Sequence, residues 1–185
     1  MWSKKLLLLG AGKRDTVPAK QKVTKCMVVG YSVLRSVEEE LAHMMVENFP
    51  GIKTEQLHRI VEKRDIGSPE TVIIHVGTYE LRTTRNLDFV MGGVYALVVT
   101  AKRKFPKSWL VLSEVLRRRD VSWRRIRTFN YRYDWLEIAL RLNVFDSNSW
   151  IVDGVFVRDG LHPNRRGKWR LGQLQGPAKT WRFLS

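Results

Sequence analysis

Asp159 and His162 stand three residues apart in Asp159-Gly160-Leu161-His162-Pro163-Asn164, ahead of a segment that Pro163 can open as the first residue of a helix. One turn at that spacing can set a carboxylate beside an imidazole, where it fixes the tautomer and steadies the imidazolium. Such a base serves a serine nucleophile. Ser32 offers one: in Val28-Val29-Gly30-Tyr31-Ser32 it follows an apolar run and precedes a helical pattern, near the positive end of a helix dipole. Each group also has a plainer reading. A serine ahead of a helix is most often an N-cap. His162 can cap its own helix, and Asp-Gly is a common turn pair. A hydroxyl, an imidazole and a carboxylate in that order are more specific than any one of them.

The other reactive side chains read as structural. His75 lies inside an apolar strand and is expected to be a satisfied core histidine, His43 and His58 fall on helix surfaces, and Cys26 packs in the core. No two histidines have the spacing of metal ligands, so neither a metal nor a cofactor is expected. One cysteine excludes a disulfide framework.

Alternating elements must carry these groups. Cys26-Met27-Val28-Val29, ending at Gly30, reads as a buried strand, and the apolar positions Leu34, Val37, Leu41, Met44 and Met45 read as an amphipathic helix. Pro50-Gly51 interrupts the chain before a shorter helix through Leu57, Ile60 and Val61. Thr71–Val76 is β-branched and continuous, as a central parallel strand buried on both faces would be. Asn86 caps a helix with Leu87, Val90, Met91, Val94, Leu97 and Ala101 inward, and Trp109–Leu112 forms the next strand, ending near Ser113. Ser122 opens a helix whose inner side is Trp123, Ile126, Phe129 or Asn130, Tyr133, Leu136 and Leu140. Val144-Phe145 is the last strand, and residues 164–174 are a closing helix. Such alternation means an α/β fold, a parallel sheet with helices on both faces. Ligands then collect beyond the carboxyl ends of the strands. Gly30-Tyr31-Ser32, Pro50-Gly51, Gly77-Thr78-Tyr79-Glu80 and Asp159–Asn164 all fall there.

In order, these segments resemble the blocks of the SGNH (GDSL-like) hydrolases, from about Lys25 to Gly176. Val28–Arg35 is similar to the first block, usually Gly-Asp-Ser, whose serine is the nucleophile. Phe49-Pro50-Gly51 is similar to the second, whose glycine donates a backbone N–H to the oxyanion hole. Val72–Leu81 is similar to the third, usually Gly-x-Asn-Asp, and Asp159–Asn164 to the last, Asp-x-x-His. Asn130-x-x-Tyr133 through Asn143–Asp146 resembles the helix and strand before that last block. The resemblance implies a three-layer α/β/α sandwich with a flavodoxin-like parallel sheet, and ester hydrolysis through an acyl-enzyme. Ser32 would attack, His162 would carry the proton, and Asp159 would orient His162. The backbone N–H groups of Ser32 and Gly51 would hold the oxyanion. Two blocks depart from the pattern: Tyr79 stands where the family has a side-chain oxyanion donor, usually asparagine, and Tyr31 replaces the aspartate beside the nucleophile. Glu80 for aspartate is a milder change. A slow or substrate-restricted esterase acting on a small ester is the expectation.

With 185 residues, 44% of them hydrophobic and 28% charged, the chain suits one globular domain. We read residues 1–24 as a basic, loosely ordered lead-in, 25–176 as the hydrolase-like domain and 177–185 as a tail. The lead-in lacks the longer apolar stretch of a signal peptide, which suggests an intracellular, cytoplasmic or nuclear location. No apolar run approaches the ~20 residues that cross a bilayer. The net charge of +15 is concentrated: residues 1–25 hold seven basic and one acidic side chain, 100–127 ten and two, and 163–185 six and none. Such blocks attract polyanions, although a solvated surface serving solubility has the same composition. They support an alternative: a catalytically inactive SGNH-fold domain that binds nucleic acid or another polyanion, a role that a retroelement origin would suit.

Overall fold

The computed structural model describes residues 26–31, 44–83, 86–149, 154–168 and 170. Five strands form one sheet: β1 (Cys26–Gly30), β2 (Met44–Asn48), β3 (Thr71–His75), β4 (Trp109–Ser113) and β5 (Asn143–Phe145). All pairs are parallel and the order is β2-β1-β3-β4-β5. This is the flavodoxin-like order, in which the chain leaves β1 for one side and then returns for the other. The switch point falls between β1 and β3. Four helices are described: α1 (Thr54–Lys63), α2 (Thr78–Thr83), α3 (Leu87–Lys104) and α4 (Trp123–Leu140).

Period-two alternation splits the strands between two apolar layers. Met27, Val29, Val72, Ile74, Leu110 and Leu112 pack with α1, α3 and α4 in the larger cluster. Cys26, Val28, Ile73 and Val111 are equally buried on the opposite face, with Val46. Both faces are covered, as in a three-layer sandwich. On α4 the three-four spacing puts Ile126, Phe129, Tyr133 and Leu136 at 0% exposure, each worth about 1.5–3 kcal/mol of burial. Asn86 caps α3 through Phe89 N–H (3.0 Å), and Ser122 caps α4 through Arg125 N–H (3.4 Å).

Some sequence expectations fail. The helix read through Met44 and Met45 does not reach them: both belong to β2, paired with Cys26 and Met27. Leu34, Val37 and Leu41 lie outside the described residues, as does His43. Trp123 is not inward but 45% exposed, because it is the first residue of α4, ahead of the turn that meets the sheet. Pro163 does not begin the closing helix. It forms an antiparallel bridge with Phe156, and Asn164 caps the helical residues 165–168 by accepting from Gly167 N–H (3.0 Å).

Two buried polar side chains of α4 hold the loops beyond the sheet. Asn130 accepts from Val115 N–H and donates to Val115 C=O, both at 3.0 Å. The Tyr133 hydroxyl donates to Val76 C=O (3.1 Å). Gly77 follows at φ +89°, where a Cβ would stand 2.7 Å from Phe129 Cε1 and 3.2 Å from the Tyr133 oxygen. Gly77→Ala therefore combines backbone strain with overpacking against two rings. It is expected to destabilise by about 2–4 kcal/mol, lowering the thermal midpoint by roughly 5–15 °C in a calorimetric scan.

Candidate active site

The Asp159–His162 pair forms as the spacing suggests. Asp159 Oδ2 lies 2.8 Å from His162 Nδ1, while Oδ1 accepts from the backbone N–H groups of Leu161 (2.7 Å) and His162 (3.1 Å). A carboxylate only accepts, so Nδ1 carries the proton and the ring's lone pair is on Nε2. The His162 hydrogen bond, with the two backbone donors, pulls the Asp159 carboxyl down to about 2. Its ionised form is favoured in the fold above the ordinary carboxylate range, an advantage lost only as pH falls through about 2. The loop is held from behind. Gly160, at φ +65°, accepts from Arg119 N–H (3.1 Å), and a Cβ there would meet Arg119 Cβ at 2.9 Å. Arg119 thus seats the dyad on the segment following β4. No sequence motif marks that contact.

Ser32, the expected nucleophile, lies outside the described residues. The residue before it is placed: Tyr31 follows the end of β1, and its N–H donates to His75 C=O (3.3 Å). The segment holding Gly51 follows the end of β2, with Phe49 N–H donating to Gly30 C=O (2.9 Å) and Gly51 at φ +74°. Tyr79 is the second residue of α2, which follows β3 after Val76 and Gly77. Its ring faces two cations, Arg82 Cζ at 5.3 Å and Lys53 Nζ at 5.9 Å from the centroid. Glu80 accepts from Thr54 N–H at the start of α1, which ties the third block to the loop after β2. The described parts of the four blocks follow strand ends: Tyr31 after β1, Gly51 after β2, Tyr79 and Glu80 after β3, and the Asp159–His162 loop against the segment that follows β4.

His75 is buried as expected, with Nδ1 3.1 Å from Ser113 Oγ, which in turn lies 2.9 Å from Ser147 Oγ, and Nε2 finds no partner among the described residues. Burial lowers its pKa to about 4, so the ring is neutral. His58 is half-buried rather than on the surface, bonded to Thr100 Oγ1 at 2.8 Å. Cys26 sits in the core, where burial raises its thiol to about 11. Among the described residues no group of three His, Cys, Asp or Glu side chains could hold a metal.

One cluster escaped sequence reasoning. Asn148 donates to Glu114 Oε2 (3.1 Å) and Val115 C=O (3.0 Å) and accepts from Arg117 N–H (2.8 Å), fastening the segment after β5 to that after β4. Asp146 caps the same turn through the N–H groups of Asn148 (2.8 Å) and Ser149 (3.1 Å). Burial raises Glu114 to about 7, aided by the neighbouring Asp146 and Asp134 and opposed by the Asn148 bond. Nothing local in the sequence signals the cluster, because 31 to 34 residues separate its partners.

No protein-family model matches the sequence, nor does any curated protein. Solved structures do match in fold. A protein described as an acylhydrolase from Bacteroides fragilis superposes with a TM-score of 0.71 at 18% identity, covering 85% of this chain and 86% of that one. One described as a platelet activating factor from Streptococcus pneumonia gives 0.75 at 15% identity, covering 84% and 83%. A member of the lipolytic G-D-S-L family from Veillonella parvula gives 0.66 at 12% identity, covering 81% and 94%. The chain has the SGNH (GDSL-like) hydrolase fold.

Glu114 provides a pH signature independent of catalysis. Its raised pKa means that folding disfavours the ionised form: the neutral form's advantage is complete below about 4.5 and is lost as pH rises through about 7. Glu114→Gln stays neutral throughout. Solvent screening of this half-buried group leaves an effect of about 1 kcal/mol. The variant should match wild type near pH 4 and melt about 2–4 °C higher near pH 8. A constant difference across that range would reject the assignment.

Proposed function

We propose that the chain is a serine ester hydrolase of the SGNH type, working through an acyl-enzyme on a small ester. The observation that carries this reading is the Asp159–His162 hydrogen bond of 2.8 Å at the carboxyl edge of a parallel sheet in SGNH order. Ser32 Oγ attacks the ester carbonyl carbon while His162 Nε2 takes its proton. The oxyanion is held by the N–H groups of Ser32 and Gly51. Collapse breaks the bond to the alcohol oxygen, which leaves with the proton returned by His162, and the acyl group stays on Ser32. Water then attacks the acyl carbon with His162 again as base, releasing the acid and restoring the serine. Asp159 stays ionised across the neutral range and acts by orientation.

Tyr79 supports a reduced rate. Removing one oxyanion donor typically costs about 10²–10³ in turnover, and the cations beside the Tyr79 ring favour a packing role over donation to substrate.

Hydrolysis of p-nitrophenyl acetate by the purified chain tests the proposal. Ser32→Ala and His162→Ala should each fall to the uncatalysed background, and Asp159→Asn should lose turnover with little change in KM. Equal rates for wild type and Ser32→Ala would sink the esterase reading. In a separate measurement Tyr79→Asn should raise kcat by up to about 10²-fold, by supplying the side-chain donor the third block lacks. An unchanged or lower kcat would show that the tyrosine is not what limits the rate.

A further inference from the structure

An open groove of about 810 Å³ runs between α4 and the turns that follow β4 and β5, lined by Arg117, Trp123, Arg124, Arg127 and Tyr131 on its basic side. Two of those residues are large aromatics left in water: Trp123 is 45% exposed and Tyr131 77%. They lie eight residues apart on one helix, about 12 Å along its axis. Between them Arg124 and Arg127 are also exposed. Among the described residues no ion pair or hydrogen bond engages either guanidinium, whereas Arg59, Arg64, Arg118 and Arg132 are each paired with a carboxylate. The groove's acidic residues are largely engaged elsewhere. Asp146 holds the Ser149 hydroxyl and two backbone N–H groups, and Glu114 holds Asn148. Asp134, one turn beyond Tyr131 on α4, is the remaining carboxylate of the lining.

We propose that this groove binds single-stranded nucleic acid, with bases stacked on Trp123 and Tyr131 and phosphates paired with Arg124 and Arg127. Exposed aromatic faces alternating with uncommitted cations are what a sequence-tolerant single-strand site needs. A flat ring in water gains little until another π-face covers it, and a guanidinium fits a phosphate bidentately. Duplex hides its base faces and would engage only the arginines. Arg117, Arg118, Arg119, Arg124, Arg125 and Arg127, which follow the carboxyl end of β4, steer the strand toward this side. The site does not depend on the esterase reading, since none of its residues belongs to the proposed catalytic set.

Fluorescence anisotropy with a labelled oligo(dT), on the full chain, reads both halves of the proposal. Wild type should bind oligo(dT) more tightly than a duplex of equal length, and affinity should fall steeply with salt. Trp123→Ala and Tyr131→Ala should each weaken oligo(dT) binding about 5- to 100-fold while leaving heparin binding unchanged. Arg124→Gln with Arg127→Gln should lower the slope of log affinity against log salt by about 1.4. A charge-matched control, Lys63→Gln with Lys107→Gln, sits at the opposite end of the sheet and should leave affinity near that of wild type. Thermal melts check that every variant is folded. The site is overturned if wild type fails to bind at low salt, if duplex binds as tightly as oligo(dT), if the aromatic variants bind like wild type, or if the control loses as much affinity as the arginine pair.

Discussion

The pairing of β1 with β3 leaves no room between them at Gly30, where a Cβ would stand 2.1 Å from the carbonyl oxygen of His75. Any side chain at position 30 would push the strands apart at the point where the sheet changes direction. Three local features gather at that end of the sheet. Tyr31 N–H reaches the His75 carbonyl, Gly30 C=O receives Phe49 N–H from beyond β2, and the β3 chain turns through Gly77 into α2. The carboxyl ends of β1, β2 and β3 are thereby drawn together, and the next residues in sequence leave from one small region. A glycine in the first block is thus required by sterics, whatever chemistry the following serine performs.

Hydrophobic burial builds the sheet and its helices, but side-chain polar bonds to backbone fix the loops that carry the site. Asn130 holds Val115, Tyr133 holds Val76, Asn148 holds Arg117 and Val115, and Glu80 holds Thr54. A buried backbone group left unpaired costs about 1–3 kcal/mol, and apolar packing cannot specify its direction. Polar clamps do both. Asn130 and Tyr133 lie one turn apart on a helix otherwise packed by Ile126, Phe129 and Leu136, so one rigid element positions the exits of both β3 and β4. Four buried side-chain atoms have no partner among the described residues, Thr54 Oγ1, His75 Nε2, Thr78 Oγ1 and Glu80 Oε2, and at His75 the fold tolerates this by keeping the ring neutral.

Much of this was legible in the sequence, for identifiable reasons. β1, β3 and β4 are continuous apolar runs bounded by glycine, proline or serine, and α3 and α4 announce themselves by Asn86 and Ser122 caps before three-four periodicity. The second strand was not. Met44-Met45-Val46-Glu47-Asn48 contains good helix formers and continues a helical spacing, and only pairing with Cys26–Gly30 makes it an edge strand. Of the site, Asp159 and His162 could be found because three residues of chain carry the whole interaction. Arg119 behind Gly160, and Glu114 with Asn148, meet only through tertiary contacts at separations no local pattern encodes. The outward turn of Trp123 was misread because periodicity gives no phase to a helix's first residue.

The dyad's exposure bears on how it can act. His162 and Asp159 keep 46% and 41% of their side-chain surface accessible. Opposite charges about 4 Å apart attract by only ~1 kcal/mol in water, several-fold less than near a protein interior. In so open a site the carboxylate contributes little to stabilising an imidazolium by charge alone. Its remaining service is geometric: two backbone N–H groups hold Oδ1, Arg119 seats the loop, and Oδ2 can then meet only Nδ1, which leaves the lone pair on Nε2. On the esterase reading proposed above, orientation without desolvation and a tyrosine in the third block both act on the strength of electrostatic stabilisation. That reading therefore expects slow hydrolysis, of activated esters first.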